Sequence, residues 1–161
     1  MMSDFKNCPD VRLAATEDMD ELMRLAELAH EENEHWQQGY SPEKVYITFS
    51  KHFTKGGVLI AVIGDKGEEL KAVLVMCVDQ PWYSRDWRLL ELALFVSPEH
   101  RRSTYAKQLM EFSKQASKGL QLDLTIGVFS SKNLERKQRL YNRQFGQYQS
   151  GTFYNVPFSG A

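Results

Sequence analysis

The chain has 161 residues, 42% of them hydrophobic and 25% charged, with a formal net charge of −1. These are the proportions of an ordinary globular domain with a real core. A charge balance this even exerts no global pull on nucleic acid or an anionic membrane, so any anion site must be local, and no stretch approaches the roughly 20 apolar residues of a membrane span.

In chain order, the start Met-Met-Ser-Asp-Phe-Lys carries no apolar signal segment. With only two cysteines, Cys8 and Cys77, this predicts a reducing, cytoplasmic setting. Cys77 lies in an apolar run and reads as a small buried hydrophobe. Val11–Ala15 reads as a short strand. Thr16 or Asp18 then caps a helix, Asp18 and Glu21 having capping-box spacing. Met19, Leu22, Leu25, Ala26 and Ala29 form its apolar stripe. His30 and His35, five apart, lie about 140° apart round a helix and do not converge on a metal. Glu31, Glu32 and Glu34 around them read as a solvated helix end or as an attraction for a cationic amine. Ser41-Pro42-Glu43 starts a second helix, running to about Lys55 and stopped by Gly56-Gly57. Val58–Ile63 and Lys71–Val78 read as an antiparallel hairpin around a Gly64–Gly67 turn. The loop 81–87 holds Trp82, Tyr83 and Trp87, which read equally as packing or as a ligand wall.

Glu91–Val96 is an apolar run bounded by Ser97-Pro98-Glu99 and reads as a buried strand. Tyr105, Leu109, Phe112 and Ala116 have helical spacing. Arg101 and Arg102 sit at the helix entry with Lys107 in its first turn, where the helix dipole normally favours Asp or Glu. Free amide N–H groups beside clustered cations make a site for a phosphate. Leu120–Phe129 alternates and reads as a fifth strand. Ser130 or Ser131 caps a last helix with Leu134, Leu140 and Tyr141. The tail, Phe145–Val156, has strand-like aromatics around a Ser-Gly turn. Nothing repeats and no linker stands out, so residues 1–161 read as one domain.

Arg101-x-x-Thr104-x-Ala106, between a strand and an amphipathic helix, resembles the acetyl-CoA signature of the GNAT family of N-acyltransferases, Gln/Arg-x-x-Gly-x-Gly/Ala. The family's middle glycine is Thr104 here, whose side chain must point away from the cofactor. Leu140-Tyr141-Asn142-Arg143-Gln144-Phe145-Gly146 is similar to the family's second signature, Leu-Tyr-x-x-x-Gly-Phe, with Gly and Phe exchanged. Asn133 matches a family asparagine one residue out of step. The order β, α, α, β, β, β, α, β, α is also the family's.

The resemblance implies an α/β (α+β) fold: a mixed, mostly antiparallel, twisted sheet flanked by helices. The strand Leu89–Val96 would be central and would part from Leu120–Phe129. It implies acetyl-CoA as co-substrate, no metal, and direct transfer of acetyl to a primary amine. Acetyl-CoA would be held by Phe95, Val96, Arg101, Arg102, Ser103, Thr104, Tyr105, Ala106, Lys107 and Asn133. A backbone N–H near Phe95 or Val96 would polarise the thioester carbonyl. Glu91 would be the base and Tyr141 the acid; Glu99, in the turn, reads as structural or solvent-facing. The acceptor would be a small-molecule or peptide amine, cationic, bordered by Glu31–Glu34 and Trp82–Trp87. No nucleic-acid or membrane partner is expected, and a homodimer is left open. The competing reading is a non-catalytic acyl-CoA-binding or protein-interaction domain that retains the fold.

Overall fold

The computed structural model describes residues 6–33, 38–128 and 132–151. Three long apolar runs make the middle of its sheet: β2, Val58–Ile63; β3, Ala72–Asp79; and β4, Arg88–Val96. With β1, Val11–Leu13, and β5, Asp123–Thr125, they form one five-stranded sheet in chain order. Neighbours are antiparallel from β1 to β4, and β5 lies parallel to β4. The mixed, mostly antiparallel sheet with flanking helices is the architecture the sequence implied.

The middle strands do not alternate because both sheet faces are covered. On one face α3, Tyr105–Leu120, brings Leu109 and Phe112 onto Ala61, Ile63, Leu74 and Met76. On the other, α1, Met19–Glu32, and α2, Pro42–Phe53, bring Leu22, Leu25 and Phe49 onto Ile60, Val62, Val73 and Val75. A last helix, α4, spans Leu134–Phe145.

Several local expectations change. Asp18 does not cap α1: fully buried, its carboxylate accepts from Arg12, from the Ala15 N–H and, across the β2–β3 turn, from the Gly67 N–H. Burial alone would raise its pKa, but these donors outweigh burial and hold it down to about 2. Glu21 likewise turns from the helix end to the Leu70 N–H and to Arg24. Ser41 caps α2 as expected, accepting from the Lys44 N–H at 3.4 Å. Gly64 closes the β2–β3 turn at φ +135°, where a Cβ would stand 2.7 Å from the Glu69 carbonyl oxygen. Cys77, expected to be buried, is only half-buried, whereas Cys8 is fully buried in the α3-side core.

The fifth strand is much shorter than Leu120–Phe129. Helix α3 keeps its pattern through Leu120, and Gln121 then ends it in the left-handed conformation, φ 56°. The Leu122 N–H turns back to the Ser117 carbonyl, leaving only Asp123–Thr125 to pair with β4. Asn133, also left-handed at φ 55°, stands at the start of α4. The proposed caps Ser130 and Ser131 lie outside the described residues. So do His35, Glu34 and residues 152–161 of the tail, while 146–148 form a single 3-10 turn.

Candidate active site

Strands β4 and β5 are paired only over Arg88–Leu90. Just beyond, β4 carries a bulge: Met76 pairs with Glu91 and Val75 with Ala93, so Leu92 is the extra residue. A bulge bends its strand and re-aims side chains. From Glu91 to Val96 the free edge of β4 lines a cavity of about 350 Å³. The start of α3 and the inner face of α4 close it, with Gly127 and Val128 on the far side. The expected parting of the two strands is therefore present.

Strand alternation decides which amides face this gap. The Ser97 N–H donates to the Lys71 carbonyl beside β3. Two residues back, Phe95 turns its N–H the same way, so Val96 and Leu94 present theirs to the open edge. Near Phe95 and Val96, where a carbonyl-polarising N–H was expected, the amides open to the gap are therefore those of Val96 and Leu94. Phe95 contributes instead a buried ring beneath the Arg101 guanidinium, 5.6 Å from its centroid.

One end of the cavity is cationic. Arg101, Lys107, Lys132, Arg136 and Lys137 all line it, and the first turn of α3 holds no acidic residue. Its first amide, Tyr105 N–H, donates to Ser103 Oγ at 3.3 Å, while the next two, of Ala106 and Lys107, have no acceptor within the helix and are available to an anion. Burial first, and the Arg101 charge second, push the Lys137 pKa down. Arg101 is not extended into solvent: its Nε donates to the Val96 carbonyl at 3.1 Å and its guanidinium is ion-paired with Glu32 at the end of α1. Glu32 thus belongs to the cationic end rather than to an acceptor wall. Exposed Glu31 and Glu99 lie outside the cavity lining.

Ser103, Ala106, Lys107 and Asn133 join Phe95, Val96 and Arg101 in the wall. The side chains of Arg102, Thr104 and Tyr105 do not. Arg102 is exposed, and Tyr105 packs against the α3-side core. The Thr104 hydroxyl accepts from Gln108 Nε2 at 3.0 Å, and the same amide nitrogen donates to Asp10 at 2.7 Å. Thr104 thus does what a residue in the glycine position must, keeping its side chain off the cavity. Its φ of −88° needs no glycine.

At the opposite end the Tyr141 hydroxyl donates to Glu91 Oε1 at 2.9 Å. Glu91 is 3% exposed, and its Oε2 has no partner among the described residues. Burial pushes its pKa up to about 8, against the pull of the Tyr141 hydrogen bond. Burial and the adjacent carboxylate raise the Tyr141 hydroxyl well above its ordinary value.

Sequence reasoning missed Asn33. It ends α1 at 5% exposure and lines the cavity with neither side-chain amide atom partnered among the described residues. A buried amide in that state is costly unless a ligand pairs with it. Its only signal in sequence was its place behind the acidic helix end. The aromatic loop is in turn not where it was expected. Trp82 is 95% exposed and Trp87 56%, and neither lines this cavity.

Residues 19–147 match the family model described as the acetyltransferase (GNAT) family. No curated protein matches the chain in sequence. Among solved structures, the integron cassette protein HFX_CASS3 from the mobile metagenome of Cole Harbour Salt Marsh is similar at TM-score 0.69. It shares 19% identity, over 91% of this chain and 88% of its own. AAC(6')-Iy, in complex with the bisubstrate analogue CoA-S-monomethyl-acetylneamine, is similar at TM-score 0.67 and 14% identity, over 92% and 97%. The aminoglycoside acetyltransferase meta-AAC0020 from an uncultured soil metagenomic sample, in complex with sisomicin, is similar at TM-score 0.65 and 14% identity, over 89% and 91%. At these identities the structures speak for the fold, and the sequence model for the lineage: the chain belongs to the GNAT acetyltransferase family.

Proposed function

We propose that this chain, as one domain over residues 1–161, is an N-acetyltransferase that moves an acetyl group from acetyl-CoA to a primary amine. The observation that carries the reading is the Tyr141–Glu91 contact of 2.9 Å in a cavity whose other end is a cationic helix start. The residues fit a CoA ester. The Ala106 and Lys107 amides in the first turn of α3, with the side chains of Arg101, Lys107 and Asn133, suit its phosphates. The edge amides of Leu94 and Val96 and the Asn33 amide suit the polar groups of an extended chain. The complex of similarly folded AAC(6')-Iy with a CoA-based bisubstrate analogue supports the assignment.

When bound, acetyl-CoA supplies an activated acetyl thioester. The protein's part is to position and to move protons. Glu91 takes a proton from the attacking amine at its unpartnered Oε2. A carboxyl pKa of about 8 is closer to that of an alkyl amine, near 10, than an ordinary carboxylate's is, so the transfer is less uphill. Tyr141 gives its hydroxyl proton to the departing sulfur, and Glu91 restores it through the hydrogen bond they share. Counted from the neutral amine, the nitrogen loses one proton, the sulfur gains one, and both residues end as they began; an acceptor that arrives as ammonium first gives a further proton to solvent. The edge amides of β4 meet the developing negative charge on the carbonyl oxygen.

The test is thiol release from acetyl-CoA over a panel of primary amines, with acetyl-CoA affinity measured in parallel. Release with at least one amine, lost in Glu91→Gln and Tyr141→Phe, is the expected result. Tight acetyl-CoA binding with no release from any amine would favour the non-catalytic reading.

A further inference from the structure

A second cavity, also of about 350 Å³, opens between α1, α2 and the sheet. That is near the lower bound of ligand pockets, about 300 Å³. It shares Ala29, Leu92 and Ala93 with the first, so the two adjoin at the β4 bulge, one residue from Glu91. Its remaining walls are mostly carbon: Ala26, Val45, Phe49 and Val75. Among its described lining residues there is no Asp or Glu, and exposed Lys44 adds a positive charge.

Thr48 Oγ1 donates to the Lys44 carbonyl, and His30 Nε2 shares a hydrogen with the Gln38 carbonyl at 2.8 Å. The Tyr40 hydroxyl is buried and without a partner among the described residues. Burial, then the nearby Glu27 carboxylate, raise its pKa, so it stays a donor at neutral pH. An apolar pocket with one unpaired hydroxyl suits a ligand of the same pattern. A polycation would desolvate its ammonium groups against carbon and Lys44, with no carboxylate among the described lining residues to repay it.

Resting on the acetyl-transfer reading, we infer that the acceptor is a monoamine with an apolar, ring-sized body. The body occupies the α1–α2 pocket, a ring hydroxyl meets Tyr40, and the amine passes the Ala29–Leu92–Ala93 junction to Glu91. The acceptor is still an ammonium ion in solution; what differs from the sequence-based expectation is its surroundings, carbon walls in place of the acidic Glu31–Glu34 segment. It also separates the chain from the aminoglycoside acetyltransferases that share its fold.

The experiment compares tyramine, 2-phenylethylamine, spermidine and kanamycin, by calorimetry and by thiol release. Tyramine and 2-phenylethylamine should show kcat/KM at least about 10-fold above the two polycations, since apolar burial and hydrogen bonds discriminate by such factors. Tyr40→Phe should erase the advantage of tyramine over 2-phenylethylamine. Thr48→Trp, which narrows the pocket from a half-buried helix position, should raise the KM for tyramine about 10-fold with little change in kcat. Acetyl-CoA affinity and Tm monitor its folding. Preference for spermidine or kanamycin would overturn the inference and leave acetyl transfer standing. Tyramine bound by the parent and not by Thr48→Trp, with no thiol released, would keep the pocket assignment and remove the enzyme reading. Tyramine neither bound nor acetylated would overturn the inference.

Discussion

Tyr141 on α4 and Glu91 on β4 meet across the gap between the parted strands, hydroxyl to carboxylate oxygen at 2.9 Å. The two residues are fifty apart in sequence and on elements that do not pair. Only the bulge at Leu92 and the early end of β5 leave room for the contact.

Glu91 sets a pH dependence for both rate and stability. Its folded pKa of about 8 lies above the ordinary 4.5, so at neutral pH most molecules hold it protonated. Turnover should climb about tenfold per pH unit below 8 and level off above it. The native state binds the extra proton between these values, so this contribution to stability is full below 4.5 and is lost as pH rises through 8. Glu91→Gln should therefore lower kcat by about 10²-fold or more. It should also raise Tm relative to the parent at alkaline pH but not in acid. A pH-independent rate between 6.5 and 9, in assays buffered to about the same ionic strength, would remove Glu91 from proton transfer.

Tyr141→Phe keeps the ring beside Phe145, 6.1 Å away, and removes only the hydroxyl. Acetyl-CoA affinity should hold while kcat falls about 10²-fold, because the proton matters in the transition state. Loss of the hydrogen bond that lowers the Glu91 pKa should also move the remaining pH profile to higher pH. An unshifted profile with full activity would show that the pair is structural.

Glu32 and a bound phosphate would compete for Arg101. The pair is partly exposed, so its own contribution to stability is small. Glu32→Gln should tighten acetyl-CoA binding several-fold by freeing the guanidinium and removing a nearby negative charge. Arg101→Ala should weaken binding about tenfold, with a shallower salt dependence than the parent. Titrations at two salt concentrations decide both, and equal affinities across the three proteins would exclude Arg101 from the site.

Thr104→Gly restores the family's glycine. Because the threonine already holds a negative φ and turns its hydroxyl to Gln108, acetyl-CoA affinity should change less than about threefold. Stability should drop by about 1 kcal/mol as Gln108 loses a hydrogen-bond partner. A marked gain in affinity would show that the threonine obstructs the ligand.

The fold was legible where hydrophobic pattern and punctuation agree. Ser41-Pro42 fixed the start of α2, and the continuous apolar runs of β2 and β3 announced an antiparallel pair of strands. The fifth strand was not legible, because Leu120–Phe129 alternates whether or not it has an edge to pair with. The left-handed turn at Gln121 decides that, and glutamine does not advertise it. The site was legible in its residue types. Its distances were not: nothing local links Glu91 to Tyr141, Arg101 to Glu32 or Gln108 to Asp10. Asn33 escaped because an unpaired amide is a property of the folded environment. Trp82 and Trp87 misled because aromatic residues in a loop say nothing of which way the loop faces.

The shortness of β5 has a mechanical consequence. Eight residue pairs join β3 to β4, whereas three join β4 to β5. Besides the packing of Leu124 on the core and the Lys114–Gln144 contact between α3 and α4, the last strand is tied to the sheet only where Arg88–Leu90 meets Asp123–Thr125, and the half of the site that carries Tyr141 is the half most easily detached. Amide hydrogens of Asp123–Thr125 should exchange with solvent long before those of β2 and β3, through an opening that leaves the rest of the sheet intact. Anything that bridges the gap from Val96 to α4 would slow that exchange as a suture does, giving a signal of occupancy independent of turnover.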